Sequence, residues 1–323
     1  MNTYKDAWEI IEKIGECYVQ KTLINESKED KTYEYDHKKL DSEWKDGLNF
    51  FWGHAFMRGR SDTLSGEYMR HTCDTLYQRE NKPDQSWEAF YGSVNPDGKL
   101  KDDIRELVKI KKGIGRKNML SSNADPETAE RVEKLKQTNV LIEKLTRHNN
   151  GKKYLNNDRD LIMVLEAIEY TNSCNGNIYA NFVNKIIKSP EASISEIIDE
   201  TYKSICKIHG CADKIATFFL RDVALLNENV MNKIKKSGNY AHVFPIDTWV
   251  TKGAIKLGYD EPKRNKDKSL KDYCINECLK NNLCPAKVNA GLWYSGAKSF
   301  DLLMSIVKSG NVKTGDLQLC DYW

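Results

Sequence analysis

The stretch at residues 205–258 constrains the fold of this chain most, because two helical patterns in it enclose a tight turn. Its first part, ICKIHGCADKIATFFLRDVALL, has a glycine-containing turn at 209–212 and then apolar residues at helical spacing from Asp213 onward. Its second part, VFPIDTWVTKGAIKLG, has a proline loop that leads to Asp247 and a helical pattern that stops at Gly258. The sequence therefore predicts two helices joined by a turn, and a loop that brings a carboxylate to the start of a third helix.

These two parts together resemble a family of DNA repair enzymes. The segment IHGCADKIA is similar to the hairpin of the helix-hairpin-helix DNA glycosylases, whose usual form is L-P-G-V-G-x-K-x-A. The segment VFPIDTWV is similar to the V-P-V-D-T-H-V that follows the hairpin in that family. The resemblance implies that Asp247 is the catalytic aspartate. It also places Lys214 where the bifunctional members, the 8-oxoguanine and endonuclease-III-like enzymes, keep a nucleophilic lysine.

The sequence departs from the family pattern in the hairpin and between the two motifs. Ala212 replaces the second glycine, and His209 stands where proline is usual. Trp249 stands where the family commonly has histidine. The spacing from Lys214 to Asp247 is longer than the family usually allows. The excess falls in residues 227–242, whose polar and basic composition is typical of a loop. The segment would either lengthen a helix end or add a loop that faces DNA, and recruitment of a protein partner is another interpretation.

The hairpin has a physical interpretation that stands beside the resemblance. A glycine turn before a helix leaves backbone N–H groups pointing outward, and such groups bind phosphate without reading base sequence. Gly210 allows the backbone to approach closely, while the methyl group of Ala212 favours a slightly different turn. The predicted DNA contacts of the hairpin are therefore His209, Gly210, Cys211 and Ala212.

The resemblance also implies a reaction for Lys214 and Asp247. A neutral lysine amine can attack C1′ of a deoxyribose, displace the base and leave a Schiff base, from which elimination nicks the strand. Asp247 would stabilise the positive charge that develops on the sugar, or take a proton from the nucleophile. Without the resemblance, such a lysine is typically a solvated surface charge and such an aspartate is typically a helix N-cap. Capping and catalysis are compatible for Asp247.

Two further sets of residues are predicted to lie near DNA or the base. An apolar helical pattern at 48–56 and the polar turn after it resemble the opening helix pair of the glycosylase lobe. In that alignment Arg58, Arg60 and Asp62 lie near the DNA, where they would fill the gap left by an extruded base. An ordinary helix–helix turn with solvated arginines explains the same pattern. The candidates for the base pocket are Trp249, Trp293 and Phe218, and a place in the core is the alternative for Trp293.

Local patterns elsewhere predict further helices. Residues 4–23 form an amphipathic pattern, and a second helix is predicted at about 63–77 after the polar turn. Asp125 followed by Pro126 is typical of a helix start, and the apolar spacing carries that helix to about residue 147. The basic segment KIKKGIGRKN at 109–118 is either a solvated linker or a phosphate-binding loop.

Composition limits the compartment and the cofactors. The chain has 323 residues and a formal net charge of +3, which favours a polyanionic partner only where the charge is clustered. No apolar run is long enough for a membrane span and MNTYKDAWEI is no signal peptide, so we expect a cytoplasmic protein, nucleoid-associated in a bacterium or archaeon and nuclear in a eukaryote.

The nine cysteines are expected to be free thiols. Among them Cys274, Cys278 and Cys284 have a spacing that does not match the iron–sulfur clusters of some relatives, so neither a metal nor an organic cofactor is expected.

The lack of a strong alternating pattern predicts a mainly α chain. The resemblance implies the two-lobed helical HhH-GPD glycosylase fold, with the active site in the cleft between the lobes. Residues 1–45 would be an N-terminal helix and loop that pack on the C-terminal lobe. Residues 46–226 would form the helical lobe that ends in the helix-hairpin-helix at 205–226. Residues 227–323 would supply the insertion, the Asp247 loop and the C-terminal helical lobe.

The implied function is that of a monomeric DNA glycosylase with AP-lyase activity, which binds duplex DNA, flips a damaged or modified base and cleaves its N-glycosidic bond. One alternative is a monofunctional glycosylase, with water as the nucleophile, that acts on alkylated or other modified bases. The other is a non-catalytic helix-hairpin-helix DNA-binding protein, against which Asp247 argues because phosphate binding needs no carboxylate. The sequence leaves the base open between oxidised, alkylated and phage-type modified bases.

Overall fold

The computed structural model describes residues 3–24, 35–57, 62–77, 85–121, 123–149, 152–153, 155, 157–260 and 266–296. These residues form fifteen α-helices and one pair of two-residue strands, which confirms the mainly α prediction. The strands β1 (His148–Asn149) and β2 (Lys152–Lys153) pair antiparallel. The α-helices are α1 (Thr3–Tyr18), α2 (Trp44–Phe56), α3 (Asp62–Tyr77), α4 (Trp87–Val94), α5 (Leu100–Ile114), α6 (Pro126–Thr138), α7 (Val140–Thr146), α8 (Asp158–Ser173), α9 (Ile178–Lys188), α10 (Ile194–Cys206), α11 (Asp213–Leu226), α12 (Glu228–Ser237), α13 (Thr248–Lys256), α14 (Lys266–Lys280) and α15 (Pro285–Gly296).

The chain divides into two compact units. The first comprises the described residues of Met1–Glu29, Lys185–Tyr202 and Asp213–Trp323. The second comprises those of Asp30–Asn184 and Lys203–Ala212. The division passes through the predicted helix-hairpin-helix, so that α11 groups with α1 and the C-terminal helices while the turn before it belongs to the second unit.

In the first unit, α1 and α15 approach each other so closely that only glycine fits at their crossing. A Cβ atom built on Gly15 would lie 1.9 Å from the carbonyl oxygen of Lys287. A Cβ atom built on Gly291 would lie 1.9 Å from the carbonyl oxygen of Ile11. The two glycines therefore let the backbones of the helices meet, and the apolar residues around them form one buried core.

The core of the second unit is built on α2 and α8. Each helix contains an apolar run, and residues 50–52 of α2 and 161–165 of α8 are fully buried. A helical segment that is apolar over most of its circumference has to lie in the interior, where its burial from water drives folding. The predicted helix after the polar turn is present as α3, although the turn itself lies outside the described residues.

The predicted helix from Pro126 to about residue 147 begins as expected but is interrupted. The side chain of Asp125 accepts a hydrogen bond from the backbone N–H of Thr128, which confirms the N-cap. The helix then ends before Asn139, whose side-chain oxygen accepts from the N–H groups of Leu141 and Ile142 and so starts α7. The prediction of one helix was wrong because an asparagine can offer the backbone a cap in place of the helical bond.

Neither interpretation of the basic segment at 109–118 describes its first half. Residues 109–114 continue α5, which ends only at Gly115 with its φ of 63°. The amine of Lys111 lies 3.0 Å from Oδ2 of the buried Asp158 and also donates to the carbonyl oxygen of Lys117. At least this lysine is therefore committed to partners within its own unit.

The expected loop at 227–242 is largely a helix, α12. Asn227 caps it by accepting from the N–H of Val230, and Gly238, with a φ of 70°, ends it. Val230 and Ile234 are four residues apart and fully buried, so they anchor one face of the helix. The polar, lysine-rich composition of the other faces hid this pattern, and the loop prediction was wrong for Glu228–Ser237.

Candidate active site

Helix α11 carries a lysine, a phenylalanine and an arginine on one face. Lys214, Phe218 and Arg221 are four and three residues apart, the spacing at which side chains stack along an α-helix. Their exposure falls steeply along the helix. The side chain of Lys214 is 51% exposed, Phe218 is 8% exposed, and Arg221 is fully buried. The amine of Lys214 is therefore the accessible end of a face that is otherwise part of the core.

Asp247 lies at the start of α13, where its two carboxylate oxygens have different partners. Oδ1 accepts hydrogen bonds from the backbone N–H groups of Trp249 and Val250, each 2.9 Å long, so the N-cap interpretation is confirmed. Oδ2 lies 3.7 Å from Nζ of Lys214. The Asp247 side chain is only 6% exposed. Because the helix cap holds Oδ1, it also fixes the direction in which Oδ2 points.

Two of the three base-pocket candidates contact each other, and one of these two lies close to the lysine. The rings of Phe218 and Trp293 are edge to face, with centroids 5.7 Å apart. Nζ of Lys214 lies 5.6 Å from the centre of the Phe218 ring. The third candidate, Trp249, has Nζ of Lys252 at 4.7 Å from its ring. Within the described residues, no ring contact joins Trp249 to the other two aromatic residues.

Behind Phe218 lies a buried polar network that the sequence analysis missed. Arg221 donates from Nε to Asp222, from Nη1 to Asn289 and from Nη2 to the hydroxyl group of Tyr18. Asn289 in turn donates to the carbonyl oxygen of Pro245. One signal could have revealed it: an arginine within the apolar run FFLRDVALL must either interrupt the buried face or find partners there.

The turn between α10 and α11 has fewer unpaired backbone N–H groups than predicted. The N–H of His209 donates to Oε2 of Glu166, and the N–H of Cys211 donates to the carbonyl oxygen of Ile208. Cys211 is also fully buried, so these two predicted DNA contacts already have partners inside the protein. Burial raises the pKa of Glu166, and the hydrogen bond from His209 partly offsets this.

The other two residues of the turn keep amides available. Gly210 has a φ of 82°, a conformation that favours glycine. Ala212 is not among the described residues with a positive φ, so its methyl group is accommodated by a turn of a different shape. The amides of Gly210 and Ala212 donate to no other residue in the part of the chain that the structure describes. Arg58 and Arg60 lie outside the described residues.

The cysteines near the C-terminus do not form a metal site in the part of the chain that the structure covers. Cys274 and Cys278 are fully buried, and burial raises the pKa of both thiols and of Cys284. Buried thiols with a raised pKa stay protonated and are poor metal ligands. Among the described residues, no group of three or more histidine, cysteine, aspartate or glutamate side chains is arranged to hold a metal ion.

Comparison with known proteins leaves the site to be judged from its geometry. None of the described helices is long and apolar enough to cross a membrane. No protein-family model, curated protein or solved structure matches the chain. The two sequence motifs and the arrangement of Lys214, Asp247 and Phe218 are therefore the features that bear on function.

Proposed function

We propose that this chain is a DNA glycosylase that flips a damaged or modified base out of duplex DNA and cleaves its N-glycosidic bond, with AP-lyase activity through Lys214. The observation that carries the proposal is the 3.7 Å separation between Nζ of Lys214 and Oδ2 of Asp247. Lys214 belongs to α11 and Asp247 caps α13, and each comes from one of the two motifs that resemble the glycosylase family.

The exposures of the two groups suit the roles proposed for them. The half-exposed lysine can reach a sugar carbon, whereas the nearly buried aspartate can act only on what lies directly in front of Oδ2. Asp247 would take the ammonium proton of Lys214. This transfer needs the two groups to be closer than 3.7 Å, and catalytic hydrogen bonds often shorten to that extent only when substrate is bound. The lysine nitrogen would then bond to C1′ while the base departs with the electron pair of the N-glycosidic bond and takes up a proton.

The aromatic side chains support a base-binding role for the same place. An extruded base needs a surface on which to stack, because it has lost its neighbours in the duplex. Phe218 lies next to the amine of Lys214, and Trp293, which contacts Phe218 edge to face, is only partly buried and keeps ring surface accessible. This chemistry requires no metal and no organic cofactor, since the lysine supplies the nucleophile.

The proposal is tested by borohydride trapping on a panel of duplexes that each carry one defined lesion or an abasic site. Wild type is expected to give a covalent adduct and base release, and Lys214→Gln is expected to give neither. Asp247→Asn is expected to slow both reactions. Lys280→Gln is a matched control, because Lys280 is also an exposed lysine beside a carboxylate, Glu277, and belongs to the same unit.

The other outcomes separate the remaining interpretations. Base release without trapping would make the enzyme a monofunctional glycosylase with water as the nucleophile. If no duplex of the panel reacted while wild type still bound DNA, the chain would behave as a non-catalytic DNA-binding protein. Trapping that persists in Lys214→Gln would show that another amine forms the Schiff base.

A further inference from the structure

We propose that Arg221 and Asn289 are positioning residues that hold the Asp247 loop and the Phe218 ring in place beside Lys214. This inference rests on the proposed function and extends it to residues that touch neither the reacting lysine nor a substrate. It follows from one continuous set of buried hydrogen bonds and ring contacts in the first unit.

The network is centred on the guanidinium group of Arg221. This group is fully buried, and each of its three nitrogens donates a hydrogen bond: Nε to Oδ1 of Asp222 at 2.7 Å, Nη1 to Asn289 at 3.0 Å and Nη2 to the Tyr18 hydroxyl at 3.3 Å. The second oxygen of Asp222 accepts from Tyr18 at 2.9 Å. The buried positive charge is therefore neutralised mainly by an adjacent carboxylate, that of Asp222, and the charge of Asp247 makes a weaker favourable contribution.

Asn289 connects this centre to the catalytic loop. Its Oδ1 accepts from Arg221, and its Nδ2 donates to the carbonyl oxygen of Pro245 at 2.8 Å. Pro245 is two residues before Asp247. Because Asn289 is fully buried and uses both ends of its amide, it fixes the loop to α11 and α15 at once.

The same guanidinium group also holds the aromatic ring next to the lysine. Cζ of Arg221 lies 4.5 Å from the centre of the Phe218 ring and 5.2 Å from that of Tyr18. A cation over a ring face is attracted by the electron density of that face. Arg221 therefore contacts one face of Phe218 and limits the positions that the ring can adopt beside Lys214.

Such positioning matters because the proposed reaction depends on short, directed approaches. A misplacement of about 1 Å in reacting groups can slow catalysis by about 100-fold. Asp247 has only one oxygen available for the lysine, so any shift of the loop changes the one distance on which proton transfer depends. A residue that acted on stability alone would not change this distance.

Asn289→Asp tests the connection selectively. Ionised beside the guanidinium group, the new carboxylate keeps an acceptor for Arg221 but has no proton to donate to the carbonyl oxygen of Pro245. Hydrogen exchange at the amides of Trp249 and Val250 reports on the loop directly, because both donate to Asp247 Oδ1. We expect exchange to become about tenfold faster, the factor that the loss of one buried hydrogen bond gives.

The control for this arm is Asn281→Asp. Asn281 also donates its side-chain amide to a carbonyl oxygen, that of Glu277, and lies at the end of α14 in the same unit. It is expected to leave exchange at Trp249 and Val250 unchanged. Arg221→Lys keeps the charge but loses the forked geometry, so it is a second test of the hydrogen-bond network around Arg221. If this variant fails to fold, Asn289→Asp alone tests the proposal.

The second arm measures single-turnover base release on the duplex that trapping identifies. Asn289→Asp is expected to slow release by about 100-fold while leaving the dissociation constant for that duplex unchanged. Unchanged amide exchange would overturn the proposal whether or not the chain cleaves DNA. Faster exchange with an unchanged rate in an active enzyme would overturn it as well. If wild type releases no base, the proposed function fails separately, and amide exchange alone decides whether Asn289 holds the loop.

Discussion

Oδ2 of Asp247 lies 3.7 Å from the amine of Lys214, while Oδ1 of the same carboxylate caps α13. One aspartate therefore links the geometry of a helix start to the geometry of the proposed reaction. Because the two roles belong to different oxygens, substitutions can separate stability from chemistry.

Asp247→Asn and Asp247→Ala should separate these roles. The asparagine keeps an oxygen that accepts from Trp249 and Val250, so the free energy of unfolding should change little, whereas base release should fall by about 100-fold or more without the charge. The alanine should lose about 1 kcal/mol of stability in addition, the usual value of an N-cap. Chemical denaturation and single-turnover kinetics measure the two effects.

The same pair of substitutions at Asp125 provides the control. Asp125 caps α6 and lies in the second unit, so Asp125→Ala should lower stability without affecting base release. If Asp247→Asn were as active as wild type, the carboxylate would be only a helix cap, and the catalytic interpretation would be wrong.

Gly291→Ala should destabilise the protein strongly. The new methyl group would lie 1.9 Å from the carbonyl oxygen of Ile11, so α1 and α15 would have to separate. Overpacking of this kind costs about 1–3 kcal/mol or more, because backbone atoms have no alternative rotamer.

Gly113→Ala in α5 is the matched control. Its methyl group would meet nothing within 4 Å, and replacing a helical glycine should stabilise by about 0.5–1 kcal/mol. Urea denaturation of both variants checks the contrast, and equal midpoints would contradict the close crossing.

Glu166→Gln should change the pH dependence of stability. Burial raises the pKa of Glu166 above its ordinary value of 4.5, so the folded state holds the proton more tightly than the unfolded state. The free energy of unfolding of wild type therefore falls as the pH rises through the raised pKa of Glu166. The glutamine variant has no proton to lose there, so its free energy of unfolding lacks this decrease. The glutamine still accepts from the N–H of His209. The stability of Glu166→Gln relative to wild type should thus increase from about pH 4 to pH 7. A difference that stays constant with pH would contradict the raised pKa.

The sequence predicted the parts of this site that depend on local patterns. Apolar spacing placed Lys214 at the first turn of α11, and the proline loop placed Asp247 at the start of α13. Both of these positions depend only on residues that are close together in the sequence. The partners of Arg221 could not be found in this way, because Tyr18 and Asn289 come from distant segments whose proximity is a product of folding.

The elements that were predicted wrongly show the same limit on a smaller scale. At Asn139 a polar side chain interrupts a helix that the apolar pattern continues. In α12 the reverse occurs, because Val230 and Ile234 bury one face of a segment that is otherwise polar and basic. Each case was decided by a few contacts that average composition does not reveal.

Trp293→Leu should weaken binding to lesion-containing duplex while leaving binding to undamaged duplex unchanged. In the proposed function Trp293, which is edge to face with Phe218 and only partly buried, stacks on the extruded base, and such stacking contributes about 1–3 kcal/mol per base. Binding is measured in the Lys214→Gln background, so that no substrate is consumed. Trp249→Leu is the comparison, because that ring shares no contact with Phe218 or Trp293 among the described residues, and it should leave discrimination between the duplexes intact. If Trp293→Leu weakened binding to both duplexes equally, the tryptophan would serve the core, and the base would have to stack elsewhere.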